Sequence, residues 1–131
     1  MDDRVWIILN EHIDIKSEVL SIFDRVLSHS NEAPLLNASI LGLKMLLESH
    51  FTLEREAILP HIDDGSEALH AEHEKIMAIM DRLIESSIHG GSPNDQRIVG
   101  LLDELQSIVR EHIWREERIL IDMFIKVRGR I

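Results

Sequence analysis

Two short segments, "HFTLE" at 50–54 and "HIWRE" at 112–116, each place a histidine four residues before a glutamate. On a helix those side chains leave the same face one turn apart, so one helix can offer an imidazole nitrogen and a carboxylate to a common point. That donor set suits iron, manganese or zinc, whereas calcium and magnesium prefer oxygen donors. With 8 histidines and 24 acidic residues among 131, one such spacing arises readily by chance. The decisive question is whether other ligand-type residues stand at the same depth.

Two more histidines do. His12 and His73 are each preceded by a glutamate, in "EH" at 11–12 and at 72–73. The interval from His12 to His50 nearly equals that from His73 to His112. The chain therefore reads as two helical hairpins of one design, with His73 repeating His12 and His112 repeating His50. Packed about an approximate two-fold axis, each hairpin gives two histidines and one glutamate to a shared layer. The candidate metal ligands are therefore His12, His50, Glu54, His73, His112 and Glu116. A glutamate between two ions can bridge them, which is the role expected of Glu54 and Glu116. Burying these groups without a metal would cost several kcal/mol in unsatisfied polar atoms and charge.

The elements that must position the ligands are helices. Apolar residues recur every three or four positions, with few β-branched runs and no Asn-Gly hairpin signal. Punctuation falls in "SNEAP" at 30–34, "PHIDDGS" at 60–66 and "HGGSPN" at 89–94. Pro34 and Pro93 stand where a helix begins, Pro60 and Gly90 where one stops. The spacing predicts helices over roughly 3–28, 35–59, 66–88 and 94–127. Short connections then favour an all-α, up-down-up-down antiparallel four-helix bundle, occupying residues 1–131 as one domain.

The core stripes are Val5, Ile8, His12, Ile15, Val19, Ile22 and Val26 on the first helix and Leu43, Leu46, His50, Glu54 and Ala57 on the second. Leu69, His73, Ile76, Met80 and Leu83 form the third, and Leu101, Leu105, Ile108, His112, Glu116, Ile119 and Met123 the fourth. One histidine interrupts every stripe. His12 stands as far before position 28 as His50 stands after Pro34, so an antiparallel hairpin sets them side by side.

Composition narrows the function classes. A net charge of −10 opposes nucleic acid or an anionic membrane as partner. No stretch approaches the run of about 20 apolar residues that spans a bilayer. The opening "MDDRVWIILNEHID" sets acids before its apolar run and has no small-residue cleavage site, so the expected location is cytoplasmic. The absence of cysteine removes thiolate ligands and thiol nucleophiles, and the absence of tyrosine removes phenolate ligands.

The set of His12, His50 with Glu54, His73, and His112 with Glu116, together with "ILPHI" at 58–62, resembles the hemerythrin-like HHE cation-binding family over nearly the whole chain. The resemblance implies a non-haem di-iron centre in a four-helix bundle that binds or reacts with O2, peroxide, NO or a related small ligand. It also implies a departure. Reversible oxygen carriers of the family have a further histidine four before the one on the third helix, where this chain has Leu69, and an acid five after the last histidine. Glu117 meets that last spacing, but the internal repeat favours Glu116. His70, three before His73, reaches the site only with a shifted geometry and reads as a surface residue. With two histidines, two shared carboxylates and an oxo or hydroxo bridge, each of two iron ions keeps an open position, which favours reactive chemistry over stable carriage. Manganese or zinc would fit the same donors.

Plainer readings stand beside these. An iron- or oxygen-responsive interaction module needs the same ligands without turnover, and a metal-free helical interaction domain needs none. His61 reads as a helix-end residue, and His29 and His89 as connection residues without a role. Glu11, Glu72 and Glu111 precede ligand histidines but point about 100° away, so they read as solvated, with a hydrogen bond from a neighbouring helix as the lesser option. Lys16 reads as a core-edge residue and Met77, Met80 and Met123 as core filler. Trp114 points away from His112, towards solvent or a neighbouring surface.

Overall fold

The structure, a computed structural model, describes residues 4–27, 33–62, 65–89 and 96–128. Four α-helices make up nearly all of it: α1 (Arg4–Leu27), α2 (Ala33–Ala57), α3 (Ser66–His89) and α4 (Gln96–Arg128). No strand occurs among the described residues. The helix bounds lie within about two residues of those expected from spacing, as fraying ends allow. His89 closes α3 instead of standing in the connection after it. Residues 3, 28, 94 and 95, together with His29, Gly90 and Pro93, lie outside the described residues.

The end of α2 has a local cause. Pro60 lacks an N–H, so the helical ladder cannot continue through it. The Ile58 amide still donates to the Glu54 carbonyl at 2.9 Å, after which the chain tightens into a 3₁₀ turn over Leu59–His61. His61 sits in that turn, exposed, as a helix-end residue. Gly65 then takes φ of 93°, a left-handed conformation that glycine adopts without a Cβ penalty, and its carbonyl accepts from the Leu69 amide at 3.1 Å to start α3.

Helices adjacent in the chain pack on one another, and α1 packs on α4, so the four close into a ring around a shared interior. The stripe expected on α1 is buried throughout, from Val5 to Val26, and so is that of α3. On α2 the expected Leu43, His50, Glu54 and Ala57 are buried, but Leu47 is buried in place of Leu46, which is half-buried at its flank. On α4 the predicted row holds at Leu105, His112 and Glu116, which are buried, and is off by one position elsewhere. Leu102, Val109, Ile113 and Leu120 are buried, whereas Leu101, Ile108, Ile119 and Met123 are half-buried. The physical reason is that α4 carries an apolar band wide enough to hold two parallel rows. Both rows obey three-four spacing, and only packing selects the inner one.

Two apolar clusters result. The larger holds Ile15, Ile22, Leu43, Ile76, Leu83, Leu102 and their neighbours, and the smaller holds Val5, Ile8, Ala57, Ile58 and Leu120. Between them, in one layer, lie the buried polar residues His12, His50, Glu54, His73, His112 and Glu116. Burying a single unpaired polar group in such a core costs about 1–3 kcal/mol, so a whole layer needs a specific partner.

Candidate metal centre

Each helix supplies a histidine to the layer, and α2 and α4 add the glutamate one turn later. All six side chains are at most 3% exposed. Nε2 of His12 lies 2.9 Å from Oε1 of Glu116 and 3.8 Å from Oε1 of Glu54. Nε2 of His50 is in contact with the same Glu54 oxygen. On the other side, Nε2 of His73 lies 2.7 Å from Oε2 of Glu54, and Nε2 of His112 lies 3.1 Å from Oε2 of Glu116. The six predicted residues are thus all brought together.

Their donor atoms fall into two groups. His12, His50, Glu54 and Glu116 form one, and His73, His112, Glu54 and Glu116 the other, with the ligand-type atoms in each within 4.8 Å of one another. The two carboxylates belong to both groups. Nε2 of His73 and Nε2 of His112 approach to 3.2 Å, converging on one point. His50 Nε2, Glu54 Oε1 and Glu116 Oε2 are buried without a hydrogen-bond partner among the described residues. Buried, convergent and incompletely satisfied nitrogen and oxygen donors are what a cation site requires, so the residues fit the metals that imidazole and carboxylate select.

The electrostatics agree. Burial pushes the His12 and His112 imidazoles down, but the nearby Glu116 and Glu54 carboxylates outweigh it and hold both at about 10. His50 is likewise lowered by burial and raised more strongly by Glu54, for a net upward shift. Burial pushes Glu54 up, yet the imidazoles of His112, His12, His50 and His73 gathered around it bring it well below the usual carboxylate range. The carboxylate is kept ionised and the cluster attracts positive charge, whether protons or metal ions.

A second ring of carboxylates surrounds the first. Nδ1 of His12 lies 2.9 Å from Glu117, Nδ1 of His50 3.0 Å from Glu11, and Nδ1 of His112 3.2 Å from Glu72. Arg115 in turn binds the other oxygen of Glu72. Glu11 and Glu72 are therefore not simply solvated. The 100° offset that turns each away from its own histidine aims it at the histidine of the next helix. That signal was in the repeated "EH", which sequence spacing on a single helix cannot read. Glu111 is exposed, as expected of a solvated acid. Glu117 stands behind His12 and not in either donor group.

The remaining candidates fall outside the cluster. Leu69 is fully buried, and His70 is exposed, its ring centroid 6.3 Å from that of His73. Lys16 is exposed, Met77 and Met123 half-buried, and Met80 buried. Trp114 is 61% exposed, with the Arg118 guanidinium 5.1 Å from its ring. Phe51, beside His50 in sequence, stacks on His73 with centroids 4.0 Å apart and planes 13° from parallel.

The sequence profile described as the hemerythrin HHE cation binding domain matches residues 3–124. The chain belongs to this family. Its two histidine–glutamate groups are thus compatible with the cation binding for which the HHE family is described. Comparison with curated proteins and with solved structures returns no match. No helix among the described residues of this HHE chain is long and apolar enough to cross a membrane.

Proposed function

We propose that the chain is a single-domain, up-down-up-down di-iron protein that binds or reacts with O2 or a similar small ligand such as peroxide or NO. His12 and His50 would hold one ion and His73 and His112 the other, with Glu54 and Glu116 available to both. The observation that carries this reading is the sharing of both carboxylates between the two groups of donors. Bound there, an iron pair supplies two adjacent redox-active Lewis acids able to take up a diatomic or peroxide ligand. Manganese or zinc would fit the same donors.

The chain's own residues do the rest. Glu117, Glu11 and Glu72 accept the Nδ1–H of His12, His50 and His112, which fixes the tautomer that leaves Nε2 free to ligate. Ile15, Leu47, Ile76, Val109 and Ile113 line a narrow gap against His50 and His112 with no room for a water-sized sphere. They keep bulk water from the inner face of the centre. The chain has Leu69 where the carriers resembled above have a fifth histidine, so its two protein nitrogens per ion favour reaction over stable carriage.

The test is anaerobic metal quantitation followed by an optical oxygen titration. Two iron ions per chain and a visible band that develops on oxygenation are expected. Trace metal only would sink the proposal. A second reading, a metal-responsive module without turnover, is favoured by burial of the whole ligand layer, which makes folding depend on loading. It predicts loading-dependent stability with no change in added peroxide.

A further inference from the structure

The two halves of the centre are not equivalent. Three of the four histidines have their Nδ1 paired with a carboxylate from a neighbouring helix. The fourth, His73, is 3% exposed, and its Nδ1 is buried with no hydrogen-bond partner among the described residues. The internal repeat identifies what is different. Glu117 follows Glu116, and the register that sets Glu116 on Glu54 places Arg55 in the equivalent position. A guanidinium has no acceptor to offer.

Arg55 and His73 are walls of the same open cleft of about 320 Å³ between α2 and α3. His70 lines it as well, as does Thr52, whose hydroxyl accepts from Arg55 at 3.1 Å. A histidine that ligates through Nε2 carries its proton on Nδ1, and a buried N–H requires an acceptor. The cleft therefore sets a guanidinium beside the ring that carries a buried, unpaired donor, where the other half has a glutamate.

We infer that this cleft binds a small monocarboxylate, which takes the place of the absent glutamate by accepting from His73 Nδ1–H and pairing with Arg55. Glu48 and Glu74 at the cleft walls repel any anion, and the repulsion grows with its charge, so a single carboxylate is the anion they oppose least. The volume is many times the roughly 30 Å³ of one water, ample for an acid of two or three carbons. Its occupancy makes His73 a stronger donor, as outer carboxylates do for ligating histidines.

The inference rests on the proposed ligand role of His73, and the experiment separates the two. Protein loaded with zinc, which is diamagnetic, is first assayed for metal, then titrated with acetate at constant ionic strength while the His73 Nδ1–H resonance is followed by NMR. Fewer than two ions per chain would overturn the ligand assignment and this inference with it. Two ions and a saturable shift of that resonance are expected. Arg55→Ala should weaken acetate binding about tenfold or more, as loss of a charge-assisted bond does. Arg55→Glu should show the shifted resonance without acetate and respond no further, because it restores the glutamate of the other half. Arg55 is exposed, so both variants should fold. Two bound ions with no saturable shift, an Arg55→Glu response like that of the parent, or phosphate binding as tightly as acetate would overturn the inference.

Discussion

Glu116 and Glu117 grip opposite edges of one ring: Oε1 of Glu116 lies 2.9 Å from Nε2 of His12, and Oε2 of Glu117 lies 2.9 Å from its Nδ1. Adjacent residues on one helix thus divide between facing the shared layer and holding a histidine from behind. Replacing them should have different effects. Glu116→Ala removes a donor common to both groups and should lose at least one ion per chain. Glu117→Gln should retain two ions with affinity lower by about 10–100-fold. Metal-competition titrations of the two variants distinguish these outcomes, and equal losses would contradict the division of roles.

Metal removal should destabilise the bundle strongly. A ligand present at about a thousand times its Kd stabilises by about 4 kcal/mol per site, and in a chain of this size each kcal/mol moves Tm by a few degrees. Stripping both ions should lower Tm by more than about 10 °C in calorimetry. An unchanged Tm would show that the buried layer is satisfied without metal.

The pH dependence of the metal-free protein follows from His12 and His112, both raised from 6.5 to about 10. A group with a raised folded pKa binds more protons folded than unfolded, so its stabilisation is fully present below pH 6.5 and is lost as pH rises through about 10. Tm of the stripped protein should therefore fall from pH 6.5 towards 10, and metal loading near pH 7 should release protons. A stripped Tm that climbs across that window would reverse the sign.

Phe51→Ala tests how the layer is kept in order. Phe51 is 3% exposed and stacked on His73, so truncation should cost about 3–5 kcal/mol and loosen that ring. Denaturant unfolding measures the first effect, and the affinity of the ion assigned to His73 and His112 measures the second. His70→Ala is the companion control. His70 is exposed and outside both groups, so this variant should keep two ions.

Much of this architecture is legible in the sequence because the ligands share their periodicity with the core. A histidine in an apolar row, followed by a glutamate one turn on, reads as buried whether or not its chemistry is understood. The inner row of α4 is less legible, since Leu101 and Leu102 both continue a three-four pattern and only the approach of α1 and α3 selects Leu102. The outer carboxylates are less legible still. Glu11 serves His50 on another helix, and no pattern local to α1 reports that pairing. The asymmetry at Arg55 was readable in the repeat, but its meaning depends on the unpaired Nδ1 of His73.

The distribution of donors between the halves of the chain also bears on how the site is made. Each group of donors takes three members from one half and one from the other, and the His12–Glu116 pair joins the first helix to the last. Contacts of such separation form late, after the entropy of closing the chain between them has been spent. Neither half alone can hold an ion in its full set of donors. During synthesis the chain should stay metal-poor until α4 has docked on α1, so that loading certifies a finished bundle and an interrupted chain is left without one.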